Sequence, residues 1–311
     1  MKILITTSSF GKYDKLPIDM LYSKGFEICI NPFGHTLSKK EALMLYTPDV
    51  YGVVAGVENI SREIIARARN LKVISRVGIG LDNIDMKTAA RCNIRIFNTP
   101  KPAIDAVAEL TLGFILCFLR NIINAYSDMR HDSWQKPTGI LLKGKTLGII
   151  GLGNIGKRLV ELVSPFGVRF LAYDKEKDKD FAEKYDITYM DLNSILSQSD
   201  IISLHLPLTE ETEGLINKDN ISLIRPNTFL INTSRGSILD EKALVEVLKR
   251  KKIAGAAIDV FKQEPYQGPL TKLDNVILTP HIGSYTKETR RKMEIEAAQN
   301  LIKGLSVYGS S

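Results

Sequence analysis

The feature that most constrains this chain is a rhythm that runs twice. Short apolar, β-rich runs alternate with helical patterns: KILITT, FEICIN, YGVVAG, KVISRV and IRIFNT, then TLGIIG, RFLAYD, IISLHLP, TFLINTS, AGAAIDV and NVILTP. Continuous apolar strands separated by helices are the pattern of a parallel sheet covered on both faces. Between the two series lies a helical stretch from about Ala103 to Met129 with no strand of its own. The expected fold is α/β, with two doubly wound parallel-sheet domains, which also suits a length of 311 residues. The last helical segment, Lys287 to Leu305, follows the second series. It can pack back on the first domain, giving two chain crossings with a hinge near Thr99 and Tyr285.

Composition narrows the class. The start, MKILITTSSF, reads as a first strand and lacks the apolar core and cleavage site of a signal peptide. The most apolar segment, Ala106 to Leu119, is too short to span a bilayer and contains Glu109. It reads as a helix buried between domains or subunits, and no membrane partner is expected. Cys29, Cys92 and Cys117 are far apart, with no metal or disulfide spacing, which fits a reducing cytoplasm. The net charge of +7 includes KRKK (Lys249 to Lys252) and RRK (Arg290 to Lys292), but each lies on or beside a helix interrupted by acids. These read as solvated helix faces. The charge implies no nucleic acid, only a mild preference for anionic small molecules.

Gly151, Gly153 and Gly156 stand in G-x-G-x-x-G spacing. The hexapeptide alone is weak evidence of a site, but here it follows a strand, opens a helix and precedes a strand ending at Asp174. That context is the dinucleotide-binding fingerprint. Gly151 permits the tight turn, Gly153 lets backbone approach a pyrophosphate, and Gly156 lets helix pack on strand. Amides near Asn154 and Ile155 face the anionic bridge. Asp174 would accept hydrogen bonds from ribose hydroxyls and repel a 2′-phosphate, favouring NAD over NADP. Lys175 and Lys177, immediately after it, weaken that preference.

In open α/β sheets, ligands sit beyond the carboxyl ends of the strands. HLPLT places His205 and Pro207 there, INTSRGS places Arg235, AIDVFKQEP places Asp259 and Glu264, and TPHIGS places His281. Any one of these has an ordinary reading as a surface ion pair or loop residue. Together they suit hydride transfer between a nicotinamide and a 2-hydroxy or 2-oxo acid. Arg235 offers a planar fork to carboxylate and carbonyl. His281 is the proton-transfer group, and Glu264 orients its ring. His205 lines the cofactor cleft, while His35 and His131 read as surface or packing residues.

In this order, GLGNIG, HLPLT, INTSRG, AIDVF, EP and PHIGS resemble the NAD-dependent D-isomer-specific 2-hydroxyacid dehydrogenases over nearly the whole chain. The resemblance implies a Rossmann cofactor domain (residues 100–285) inserted into a flavodoxin-like substrate domain (residues 1–99 and 286–311), with subunits pairing as a homodimer through the cofactor domain. It implies catalytic Arg235, Glu264 and His281. Cofactor contacts would come from the glycine loop, Asn154, Ile155, Asp174, His205, Pro207, Thr212, Thr233, Ser234, Arg235, Asp259, His281, Gly283 and Ser284.

Within that family, ISRVGIGLDNID and AARCNIRIFNTP resemble the phosphoglycerate dehydrogenases. This implies a substrate carboxylate on the amides of Val77 and Gly78, with Asn98 nearby. Arg76 and Arg91 would lie near a substrate phosphate, and 3-phosphoglycerate is the leading expected substrate. The sequence stops soon after NLIKGL, without the extension that senses serine in many such enzymes, so serine feedback through such a domain is not expected. The alternatives are a hydroxypyruvate or glyoxylate reductase and an NADH-sensing binding protein like the C-terminal-binding corepressors.

Overall fold

The computed structural model describes residues 1–308, which fall into two compact units: Met1–Ala103 with the segment from Ser284 onward, and Ile104–Gly283. The first unit runs β1 (Lys2–Ile5), α1 (Leu16–Tyr22), β2 (Glu27–Ile30), α2 (Lys39–Leu45), β3 (Val50–Ala55), α3 (Arg62–Arg67), β4 (Val73–Arg76), α4 (Met86–Arg91) and β5 (Arg95–Phe97). The chain then passes through α5 (Ala103–Leu119) and α6 (Ile122–Arg130). The second unit continues with β6 (Thr146–Ile150), α7 (Asn154–Val163), β7 (Arg169–Tyr173), α8 (Lys179–Lys184), β8 (Ile187–Tyr189), α9 (Leu192–Gln198) and β9 (Ile201–Leu204). It closes with β10 (Phe229–Asn232), α10 (Glu241–Lys249), β11 (Gly255–Ile258) and β12 (Val276–Leu278), and α11 (Lys287–Leu305) returns to the first unit.

Both sheets are parallel, ordered β2-β1-β3-β4-β5 and β12-β11-β10-β9-β6-β7-β8. Helices cover both faces of each, which is why the central strands are apolar throughout. Leu147, Ile149 and Ile150 of β6 are all fully buried, yet face opposite sides of the sheet. Burying each such side chain contributes about 1.5–3 kcal/mol. In the first unit, α11 packs on β3 and β4 through Met293, Ala297, Leu301 and Leu305. Its buried Arg290–Glu294 pair (2.9 Å) also binds Ser9 and the Gly11 amide of the loop after β1.

Two features, the break in the long helix and an extra edge strand, differ from the sequence expectation. The stretch from Ala103 to Met129 is two helices at 65°, because Asn121 adopts a left-handed conformation (φ +54) that ends α5 and caps α6. Within the second unit, the apolar helix α5 packs Phe114, Ile115 and Leu119 onto the sheet. The second sheet has a seventh strand, β8: an edge strand of three residues with only Ile187 buried, too short for a periodic signal. Among the described residues, no single helix is long and apolar enough to cross a membrane.

Candidate active site

In the second unit, the strand order reverses between β6 and its neighbours β9 and β7, and the glycine turn lies at that point. Gly151 has φ +100, and a Cβ there would lie 2.8 Å from the His205 carbonyl carbon. A Cβ on Gly156 would sit 2.4 Å from the Gly151 oxygen, so helix and turn approach closely only with glycine. A Cβ on Gly153 would meet nothing within 4 Å. That opening, at the start of α7 beside the Asn154 and Ile155 amides, fits a pyrophosphate. Asp174 follows β7 directly, with its Oδ2 accepting from the Leu152 amide (2.6 Å) and its Oδ1 from the Glu176 amide (3.1 Å), so the carboxylate is pinned beside the turn.

Other residues expected near the cofactor divide in two. His205 places Nε2 2.8 Å from the Ser203 hydroxyl, while its buried Nδ1 has no partner among the described residues. Burial pushes this ring down to about 4, so it is neutral at pH 7. Thr212 instead turns its hydroxyl onto its own loop, donating to the Pro207 carbonyl (2.6 Å) and accepting from the Thr209 amide (2.8 Å). Ser234 likewise donates its hydroxyl to Asn232 (2.8 Å), and Thr233 pairs with Thr111 (3.2 Å). Asn232, not singled out from the sequence, also donates to the Arg235 carbonyl (2.9 Å) and so shapes the turn that presents that arginine.

Beyond the ends of β11 and β12 the acid and the histidine come together, with Arg235 following the neighbouring strand β10. His281 Nδ1 lies 2.9 Å from Glu264 Oε2 and 3.1 Å from Oε1, and Glu264 also accepts from the Phe261 amide (3.0 Å). Burial pushes the Glu264 carboxyl up, but His281, the Phe261 amide and Arg235 outweigh it and hold the group below its usual range. Gly236 makes the juxtaposition possible: a Cβ there would lie 2.1 Å from the Phe261 carbonyl carbon.

Asp259, expected at the cofactor, turns its carboxylate onto the histidine loop. It accepts from the Thr279 hydroxyl (2.5 Å) and the amides of Ile282 and Gly283 (2.8 Å each). Its carbonyl accepts from His281, which sits at φ +55. Ser284 begins the returning segment of the first unit.

In the first unit the expected substrate residues are rearranged. The Val77 amide donates to the Ala55 carbonyl (2.9 Å) and the Gly78 amide to the Thr99 hydroxyl (2.9 Å), so both are consumed internally. The amides of Ile79 and Gly80, next along, make no hydrogen bond among the described residues, and Asn98 tethers this turn by donating to the Ile79 carbonyl (2.7 Å). Arg76 is buried, folds its guanidinium onto the Val77 carbonyl and packs on Gly78. Arg91 lies in the last turn of α4, and a helix running back along a parallel sheet ends at the strands' amino edge. It therefore stands at the opposite end of the sheet from Gly78.

The chain is similar to known proteins in sequence and in fold. The family model "D-isomer specific 2-hydroxyacid dehydrogenase, NAD binding domain" matches residues 112–283. A glyoxylate reductase of Thermofilum pendens is 45% identical, covering 79% of this chain and 75% of its own. A hydroxypyruvate reductase of Thermotoga maritima is 39% identical (86% and 89% covered). A D-3-phosphoglycerate dehydrogenase of Methanocaldococcus jannaschii is 40% identical over 86% of this chain, which spans 52% of that relative. A crystal structure of a Thermus thermophilus protein superposes with a TM-score of 0.89 at 32% identity, covering 99% of this chain and 97% of that one.

Proposed function

Because the chain belongs to the D-isomer-specific 2-hydroxyacid dehydrogenases and is an NAD-dependent enzyme, we propose that it reduces a short, unphosphorylated 2-oxo acid of the glyoxylate or hydroxypyruvate kind to the D-2-hydroxy acid. We read residues 104–283 as the cofactor domain and the remainder as the substrate domain. The observation that carries the reading is the His281–Glu264 pair with Arg235 beside it. The opening at Gly153, the Asn154 and Ile155 amides and the pinned Asp174 are assigned to NAD. When bound, NADH supplies the hydride, and the protein supplies orientation, charge and a proton.

Arg235 holds and polarises the 2-oxo acid through its planar fork. Glu264 engages Nδ1 of His281, so the imidazolium delivers the Nε2 proton to the carbonyl oxygen. The two Glu264 oxygens, 2.9 and 3.1 Å from Nδ1, fix the orientation of the ring for that transfer. Within the first unit, the amides of Ile79 and Gly80 make no hydrogen bond among the described residues, and Asn98 fixes their turn.

The preference for an unphosphorylated acid rests on the cations. Arg91 stands at the far end of its sheet, and Arg76 is turned onto its own loop. The second reading, 3-phosphoglycerate, draws on the 40% identity to the Methanocaldococcus enzyme. Steady-state NADH oxidation with glyoxylate and hydroxypyruvate, set against NADH formation from 3-phosphoglycerate and D-glycerate, separates them. Higher kcat/KM with 3-phosphoglycerate would reject our substrate, and tight NADH binding without turnover of any acid would bring forward an NADH-sensing binding protein.

We further propose that two copies pair through the cofactor domain in the cytoplasm. Tyr126, Trp134 and Leu141 are 65%, 74% and 73% exposed, an apolar set of the kind that marks an interface. A monomer by light scattering at micromolar concentration would refute the pairing.

A further inference from the structure

Asp174 disfavours a 2′-phosphate, yet lysines crowd the same strand end. All three near it are engaged. Lys157 Nζ lies 2.5 Å from Asp178, Lys177 sits 5.7 Å from the centroid of the Tyr189 ring, and Lys175 forms an ion pair with Glu211. The last pairing is the informative one. Strands β9, β6 and β7 are neighbours in that order, with Glu211 following β9 and Lys175 following β7. The pair therefore spans the glycine turn that follows β6, on the side where Asp174 meets the adenosine ribose.

We propose that Glu211 is a second determinant of cofactor choice: by engaging Lys175 it withholds the cation best placed to receive a 2′-phosphate. This rests on the assignment of NAD to the glycine turn. A phosphate monoester carries close to two negative charges at neutral pH. Beside Asp174 it needs a compensating cation, and Lys175 is the residue next in sequence. Both side chains of the pair are largely exposed, 65% and 69%, so the bond is weak and the discrimination it adds is modest. Asp174 excludes the phosphate by charge, and Glu211 keeps the adjacent lysine from undoing that exclusion.

The test is calorimetric titration of NADH and NADPH into the parent enzyme, Glu211→Gln, Lys175→Gln and the double variant, at low and physiological salt. Removing Glu211 should tighten NADPH about fivefold, the size of an exposed ion pair, and leave NADH within about twofold. With Lys175→Gln in place, Glu211→Gln should bring no gain. The gain should shrink at the higher salt. Unchanged NADPH affinity in Glu211→Gln would overturn the proposal. A gain that persists without Lys175 would also overturn it, because Glu211 would then act by direct repulsion alone. Failure of the parent to bind NADH would instead overturn the cofactor assignment, and this inference with it.

Discussion

His281 Nδ1 lies 2.9 Å from Glu264 Oε2, although the two side chains come from different strand ends and are each only about two-thirds buried. Glu264 has a depressed pKa in the folded chain, set by burial raising it against the stronger pull of His281, the Phe261 amide and Arg235. A carboxyl depressed on folding stabilises above its unfolded value near 4.5, and that contribution is lost as pH falls through the lower folded value. Glu264→Gln should remove this acid-side loss. It should also lower reductive kcat/KM about tenfold or more, because the imidazolium loses its counter-charge. Urea melts from pH 6 to pH 3 check the first point: parallel stability curves for the two proteins would show that the pair carries no linkage.

Asp259 is 1% exposed and accepts from the Thr279 hydroxyl and the Ile282 and Gly283 amides. Asp259→Asn keeps the shape but places an NH2 where an oxygen received an N–H. Stability should fall by about 3 kcal/mol, the scale of lost charge-assisted bonds to a buried carboxylate. Turnover should fall with it, since the same bonds hold the loop of His281. Wild-type stability in the variant would mean that the loop is held by its strand alone.

At Gly236 a Cβ would collide with the Phe261–Lys262 backbone at 2.1–2.3 Å, which side-chain motion cannot relieve. Gly236→Ala should push the Arg235 turn away from the Glu264 loop. The expected result is a loss of kcat/KM for the 2-oxo acid of at least about tenfold, with NADH affinity little changed. If NADH affinity falls as far as kcat/KM, the damage is to the domain rather than to the pairing.

His205 is held neutral by burial, its pKa pushed from 6.5 to about 4. A base depressed on folding contributes fully above 6.5 and loses that contribution as pH falls toward 4, because only the unfolded chain takes up the proton. The loss is at most about 3 kcal/mol, moderated by the partial exposure of the ring. His205→Gln retains a group able to bond Ser203 and should flatten stability across that window. Equal losses between pH 7 and pH 5 in both proteins would disprove the assignment.

Much of the architecture was legible in local pattern. Strand–helix alternation specified two parallel sheets, because strands buried on both faces must be apolar throughout. The glycine spacing was legible too, although only part of its reason is local: Gly156 answers to the Gly151 oxygen and Gly153 to open space, while Gly151 answers to the His205–Leu206 backbone, distant in the chain. Strand ends carrying Arg235, Glu264 and His281 could be read because a parallel sheet puts every carboxyl end on one edge.

What the tertiary structure alone decided was partnership. Val77 and Gly78 looked like free amides until Ala55 and Thr99, distant in the chain, took them, while the Ile79 and Gly80 amides make no hydrogen bond among the described residues. Asp259 looked like a ligand residue until the Thr279–Gly283 turn closed on its carboxylate. Arg91 has the right charge for a phosphate but stands at the wrong end of its sheet, and the break at Asn121 depends on a left-handed residue that periodicity does not register. Residue type and spacing determined which groups could do chemistry. Which of them are still available to a ligand was settled only when the fold assigned each donor and acceptor its partner, because a hydrogen bond depends on distance in space and not in sequence.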